Sequence, residues 1–128
     1  MSYNFNDLCN SWCSRKDVHY KNDYLQSLQN NDCNGVLFNG SYYSDFSWKY
    51  YSTVILLADY RLIEGTYKII SLSINLSYTT VSTMKRIRAI CGMYGISVHI
   101  KNGKPIVTYK GNVIAVNRDN IVCIMIDK

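Results

Sequence analysis

The segment TTVSTMKRIRAICGMYG, residues 79–95, is the most informative stretch of the chain because its apolar residues recur at the spacing of one helical face. They are Met84, Ile87, Ile90, Cys91 and Tyr94. Thr79 or Thr80 can cap the first turn, and Gly95 can adopt the left-handed conformation that ends a helix. The pattern predicts a helix over residues 79–94.

The segments around this helix predict antiparallel β-structure. Residues 96–100 alternate between apolar and polar side chains, and Asn102-Gly103 is a typical two-residue hairpin turn. Further turns are predicted at Glu64-Gly65 and Lys110-Gly111. Short turns imply that consecutive strands are antiparallel neighbours. The other strand-like segments are 36–43 around Asn39-Gly40, 50–60, 66–75, 105–109, 112–117 and 121–127.

Two short helices are predicted near the N-terminus. Residues 5–14 place apolar side chains on one helical face, and Tyr24 and Leu28 are four residues apart in a second segment, 23–28. The predicted fold class is therefore α+β. An antiparallel sheet or meander packs against one main helix, with short N-terminal helices, in a single domain over residues 1–128.

The charge of the chain is distributed unevenly. Residues 1–64 hold five Lys/Arg and seven Asp/Glu, a net charge of −2, whereas residues 65–128 hold nine Lys/Arg and two Asp/Glu, a net charge of +7. Such asymmetry indicates either an anionic partner for the second half or basic residues that serve only solubility. We expect a cytoplasmic protein, because neither a signal peptide nor a long apolar run is visible.

Basic residues in and after the predicted helix are candidates for contact with phosphate groups or another anionic partner. They are Lys85, Arg86, Arg88, Lys101, Lys104 and Lys110. Tyrosines concentrate in the first half and are candidates for protein contact, since tyrosine supplies large area at low entropy cost. The candidates are Tyr42, Tyr43, Tyr50 and Tyr51, and ordinary β-sheet composition is the alternative reading.

Four N-terminal residues could close a tetrahedral zinc site: Cys9, Cys13, His19 and Cys33. Their spacing fits no strong zinc motif, and Cys9 and Cys13 also lie on the apolar stripe of the first helix, which favours core packing. We therefore expect no metal and no cofactor.

A Cys–His nucleophile pair is the catalytic arrangement that the sequence allows, for example His99 with Cys91 or Cys123. Cys91 and Cys123 lie in apolar patterns and are expected to be buried, and common catalytic motifs are absent from the sequence. We expect a protein that is not an enzyme and keep the Cys–His enzyme as an alternative.

The segment YYSTVI (50–55), followed by SINLSYTTVSTMKRI (73–87), resembles a segment of small, largely uncharacterised phage proteins. Those proteins carry a Ser-Tyr-x-Thr-x-Ile element and then a Thr-Thr-x-x-His element that opens a helix. Thr79-Thr80 match the threonine pair, and Thr83 stands where the family has histidine. The resemblance covers about a third of the chain and implies a short accessory protein of a phage or a similar mobile element.

Small phage proteins of this kind often block a host machine, and inhibitors of CRISPR effectors are one class of them. By analogy, we expect a protein that binds and inhibits a host defence nucleoprotein such as a CRISPR effector. The alternative is a direct nucleic-acid-binding module that uses the same basic residues. The expected partners are a host protein or nucleoprotein complex and, in the alternative, nucleic acid, with no membrane involved.

Overall fold

The computed structural model describes residues 4–27 and 46–126 of the 128-residue chain, which form a mixed α+β fold. The described residues contain two helices, α1 (Phe5–Cys13) and α2 (Val81–Met93). The strands are β1 (Val18–Tyr20), β2 (Asp23–Ser27), β3 (Phe46–Tyr50), β4 (Thr53–Ile63), β5 (Thr66–Asn75), β6 (Ile96–Lys101), β7 (Lys104–Tyr109), β8 (Asn112–Ile114) and β9 (Ile121–Met125). No described helix is of a length and apolar character that would let it cross a membrane.

The strands of the described residues form two antiparallel sheets. Six strands follow the order β1-β2-β3-β4-β5-β9, and three follow the order β6-β7-β8. The α+β class and the antiparallel pairing are confirmed, but the predicted meander after α2 is divided between the two sheets. β9 pairs with β5, with Asn75 opposite Ile121, because its apolar residues Val122 and Ile124 continue the core face of β5.

Both helices pack on one face of the six-stranded sheet, so an arrangement around one main helix is not confirmed. Trp12 of α1 is fully buried among aromatic rings of β3 and β4, with centroid distances of 5.4 Å to Phe46, 6.1 Å to Trp48 and 6.2 Å to Tyr60. Buried residues of α2 join the same core, and so do residues of the three-stranded sheet: Met84, Ile87, Ile90, Ile96, Val98 and Val107. One continuous core therefore connects the two sheets.

The two helices lie side by side and run in the same direction. At their first turns, the Nζ atom of Lys85 lies 4.5 Å from the centroid of the Phe5 ring. At their last turns, the Sγ atom of Cys13 lies 3.5 Å from the Sδ atom of Met93. The C-terminal ends of α1 and α2 therefore meet at the same edge of the molecule.

The predicted helix over residues 23–28 is wrong, because residues 23–27 form strand β2. Asp23 and Leu25 are buried on the helix-covered face, whereas the side chains between and after them are more exposed. This period of two reflects pairing with β3, where Leu25 lies opposite Trp48. Tertiary pairing has overridden the local three-and-four spacing of Tyr24 and Leu28, the latter lying outside the described residues.

The strand predicted over residues 50–60 is divided by a turn at Tyr51-Ser52, after which β4 begins at Thr53. The turns predicted at Glu64-Gly65, Asn102-Gly103 and Lys110-Gly111 are confirmed, and both residues of each have positive φ angles, as a type I′ turn requires. The hairpin predicted around Asn39-Gly40 lies outside the described residues.

The helix predicted over residues 79–94 is confirmed as α2. Thr80 is its N-cap, and its side-chain oxygen accepts a hydrogen bond from the N–H of Thr83 at 3.4 Å. Gly95, with a φ of 75°, lies directly beyond the C-cap Tyr94 and allows the chain to turn into β6. The α1 prediction is confirmed too, with Asn4 as its N-cap.

Candidate functional site

A cleft at the start of α2 brings together three tyrosines from two separate parts of the chain. Tyr50 and Tyr51 come from the end of β3 and the turn after it, and Tyr78 comes from the connection between β5 and α2. The cleft has a volume of about 350 Å³. Of the eight described residues that line it, seven carry a hydroxyl group and one is aliphatic: Tyr50, Tyr51, Thr53, Tyr78, Thr80, Ser82 and Thr83, with Ile55.

Tyr51 has a backbone conformation that few large side chains adopt. Its φ angle is 56°, in the left-handed region, which costs an ordinary residue about 1–2 kcal/mol. Its N–H donates to the carbonyl of Asn22 at 2.8 Å, and its ring meets that of Tyr50 edge-on, with centroids 4.7 Å apart. The side chain is nevertheless 60% exposed. A strained and exposed aromatic residue motivates a functional hypothesis for this turn.

The other wall of the cleft is held in place by the buried residue Asn75. Its Nδ2 group donates to the carbonyl of Val54 at 3.1 Å, and its Oδ1 atom accepts from the N–H of Ser77 at 3.0 Å. These bonds attach the connection between β5 and α2 to the first residues of β4. Tyr78 and Val81 therefore project from a fixed backbone, with exposed fractions of 57% and 90%.

Arg86, predicted to bind an external anion, is paired within the protein. Its Nε atom lies 2.6 Å from Oδ1 of Asp23 and its Nη2 atom 2.9 Å from Oδ2, a two-bond pair in which both side chains are largely buried. Its guanidinium group also stacks on Tyr50, 3.8 Å from the ring centroid, and Nη1 donates to the carbonyl of Ser82. Arg86 therefore uses its charge within the protein, where it holds the Tyr50 side of the cleft in place.

The pKa of Arg86 reflects this environment. Burial alone lowers the pKa, but the hydrogen bonds and the charge of Asp23 outweigh burial and raise it above its ordinary value. The same carboxylate accepts a hydrogen bond from Nε1 of Trp48 at 2.8 Å. A charged Arg86 is therefore a permanent part of the folded protein.

The other two basic residues of α2 point to different neighbours. Lys85 lies over Phe5 of α1, whereas the Nε atom of Arg88 donates to the carbonyl of Val98 in β6 at 3.2 Å. Residues two apart on a helix are separated by about 200° around its axis, so Arg86 and Arg88 project to different sides.

The remaining predicted cations lie on the three-stranded sheet. Lys101 and Lys104 are exposed and directly opposite each other at the end of the β6–β7 hairpin. Lys110 lies at the other end of β7, about 20 Å away at the usual rise per strand residue. The structure thus brings Lys101 and Lys104 together and sets Lys110 apart from them. Tyr42 and Tyr43 lie outside the described residues.

The three described residues among the four considered for zinc are distributed over both faces of the large sheet. Cys9 and Cys13 belong to α1, whereas His19 stacks on Tyr24, with centroids 4.1 Å apart, on the face opposite α1. Cys33 lies outside the described residues. Within residues 4–27 and 46–126, no group of three or more His, Cys, Asp or Glu side chains is placed to hold a metal ion.

The thiols considered for catalysis have contrasting surroundings. Cys91 is fully buried as predicted, and burial raises its pKa to about 12, so it carries almost no reactive thiolate at neutral pH. Cys123, predicted to be buried, is exposed, because the side chains of β9 alternate and those of Val122 and Ile124 take the core positions. The ring of His99 is hydrogen-bonded to Ser97 at 2.9 Å.

Sequence reasoning did not identify the partner of Arg86. Asp23 precedes Arg86 by 63 residues and lies in a segment read as helical, so no local signal connects the two. The turn at Tyr51 was missed for a similar reason, since Tyr-Ser is not a typical hairpin dipeptide.

No protein-family model matches this chain, no curated protein is detectably similar to it in sequence, and no solved structure is detectably similar to it in fold.

Proposed function

We propose that this protein acts by binding another protein through the tyrosine-lined cleft at the start of α2. The observation that carries the proposal is the convergence of Tyr50, Tyr51 and Tyr78 on one cleft with fixed walls. Exposed tyrosines on a rigid backbone supply contact area with little loss of side-chain entropy on binding. The neighbouring Val81 adds exposed apolar area to the same surface.

A protein partner fits this cleft better than a nucleic acid does. Among the described residues that line it, none is a lysine or an arginine. The nearest guanidinium group, that of Arg86, is already paired with Asp23. Nucleic-acid binding depends mainly on neutralising phosphates, and the described residues that line the cleft provide no unpaired cation for that purpose.

We further propose a component of a host nucleoprotein, such as a CRISPR effector, as the partner, and inhibition as the outcome. The support for this step is the resemblance of residues 50–55 and 73–87 to small phage proteins. The resembling segments include Tyr50, Tyr51 and Tyr78, so they supply the tyrosines of the cleft. Non-enzymatic inhibition requires only a binding surface, which the cleft provides.

A capture experiment tests this proposal. The immobilised full-length protein is exposed to lysate of its bacterial host, and the Tyr51→Ala/Tyr78→Ala double variant is compared with Tyr67→Ala, an exposed tyrosine at a different cleft. We expect the wild type and Tyr67→Ala to retain the same host protein after nuclease treatment. The double variant is expected not to retain it. Equal retention by all three proteins would remove the cleft from the proposal.

The second candidate function is direct nucleic-acid binding by the three-stranded sheet. Residues 65–118 contain eight Lys/Arg and no Asp/Glu, and Lys101 lies directly opposite Lys104. Like charges placed opposite each other destabilise a strand pair, and a bound phosphate would relieve the repulsion.

Salt dependence decides whether this second function operates. If the two lysines each contact one phosphate of duplex DNA, log K measured by fluorescence anisotropy falls by about 1.8 per unit of log salt concentration. The Lys101→Gln/Lys104→Gln variant is expected to lose that slope. The control variant Lys68→Gln, on β5 of the other sheet, is expected to keep it. A slope near zero for the wild type would eliminate this function.

A further inference from the structure

The C-terminal ends of α1 and α2 place three sulfur-containing side chains near one another. The Sγ atom of Cys13 and the Sδ atom of Met93 are 3.5 Å apart, although the residues are 80 positions apart in the chain. Both side chains are exposed. Metal–sulfur bonds of about 2.3 Å can join two sulfur atoms that are up to about 4.6 Å apart, so one ion could bind both.

Cys9 supplies the third sulfur atom. It lies one turn before Cys13 on the same side of α1, where side chains four residues apart are neighbours. Its side chain is partly buried and packs against the core that α1 and α2 share.

Two opposing electrostatic effects act in this region. The negative ends of two helix dipoles meet here, and neither α1 nor α2 has a basic residue in its last turn, which favours a cation. Lys68 lines the adjoining cleft together with Cys13, and Arg15 lies over Tyr67 of the same cleft, so these positive charges oppose a divalent ion more than a monovalent one.

We propose that Cys9, Cys13 and Met93 form a binding site for a soft monovalent metal ion, with Cu(I) as its biological occupant. Thiolates and thioethers are the ligands that Cu(I) prefers, whereas zinc sites use cysteine, histidine and carboxylates. Each thiol that binds the ion gives its proton to solvent.

The test is a competition for Cu(I) between the reduced full-length protein and the chromogenic chelator bathocuproine disulfonate under anaerobic conditions. We expect the wild type to withdraw one equivalent of Cu(I) and to release protons as it does so. Cys13→Ser, Met93→Leu and Cys9→Ser should each weaken binding at least roughly tenfold, since even changes outside the ligand set of a metal cost about 10- to 100-fold.

Cys123 and Met125 provide the matched control. They are a second exposed cysteine and methionine, two residues apart on β9, remote in sequence from the proposed ligands. The Cys123→Ser/Met125→Leu variant is expected to retain wild-type affinity, and circular dichroism verifies that every variant is folded. The proposal is overturned if the wild type leaves all Cu(I) with the chelator, if the control variant loses binding, or if any of the three ligand variants binds as the wild type does.

Discussion

Asp23 and Arg86 connect strand β2 to helix α2 through two hydrogen bonds between largely buried side chains. A carboxylate in this position is stable because Arg86 and the indole N–H of Trp48 both donate to it. The pair also holds the Tyr50 ring against the guanidinium group and so shapes one wall of the tyrosine-lined cleft. The stability of the Asp23–Arg86 pair and the geometry of the cleft therefore depend on each other.

Asp23→Ala should lower the free energy of unfolding by about 3–5 kcal/mol, because it leaves the buried charge of Arg86 without a partner. The Asp23→Ala/Arg86→Met double variant should recover much of that loss, since no uncompensated charge remains. Urea unfolding of both variants and of Arg86→Met measures the coupling free energy between Asp23 and Arg86. A loss below about 1 kcal/mol in Asp23→Ala would show that the pair behaves as an exposed one.

The left-handed conformation of Tyr51 determines which substitutions this turn tolerates. Asparagine tolerates positive φ better than alanine does, so Tyr51→Asn should be more stable than Tyr51→Ala by about 0.5–1 kcal/mol, although both lose the ring. Tyr78 is also exposed and does not have a positive φ, so Asn and Ala there should unfold alike. Thermal unfolding of the four variants checks the difference, and equal stabilities at both positions would contradict a strained turn.

The side chains of strand β9 alternate between the core and solvent. Val122 and Ile124 are nearly fully buried against the core face of β5, whereas Cys123 and Met125 are exposed. Besides its backbone pairing with β5, the strand therefore attaches the end of the described chain to the large sheet through these two buried side chains.

Ile124→Ala should destabilise the protein by about 2–4 kcal/mol, and Val122→Ala by a comparable or slightly smaller amount, because each leaves a cavity in the core. Cys123→Ala and Met125→Ala on the other face should change the free energy of unfolding by less than about 0.5 kcal/mol. Guanidinium unfolding of the four single variants tests the alternation. Similar losses at all four positions would mean that the strand does not have one core face.

The sequence predicts those elements whose pattern is local. The periodicity of residues 79–94 and the turns at Asn102-Gly103 and Lys110-Gly111 are sufficient for α2 and the β6–β8 hairpins. By contrast, β2 and the division of the predicted meander depend on pairing with distant strands, which no short window contains. Part of the site could also be predicted from the sequence, since Tyr50 and Tyr51 were candidates for protein contact. Their proximity to Tyr78 depends on the fold and could not be predicted.

At the scale of the whole molecule, the basic half of the sequence does not form one cationic face in the described residues. Arg86 is paired inside, Lys85 lies beside α1, and Arg88 contacts β6, while Lys101 and Lys104 form a separate pair on the small sheet. Net charge indicates that cations are abundant, but only the fold determines which of them can act together.

Cys91 provides a probe of the molecule as a whole, because it is fully buried in the core that both sheets share. Its pKa of about 12 keeps the thiol protonated, so raising the pH from 7 to 9 should not make it reactive in the folded protein. Mass spectrometry after pulse labelling with iodoacetamide should find Cys13 and Cys123 modified rapidly, and Cys91 modified only as fast as the whole protein unfolds. Rapid labelling of Cys91 in native buffer would contradict a single cooperative core.

Two stabilising contacts of this protein join residues that are distant in the chain. Asn75 lies opposite Ile121, 46 positions later, and Asp23 bonds to Arg86 across 63 positions. The other strand pairs of the described residues join strands that are consecutive in the chain. Because closing long loops costs entropy before the contacts can compensate, the β5–β9 pair and the Asp23–Arg86 pair should form after the hairpins between consecutive strands.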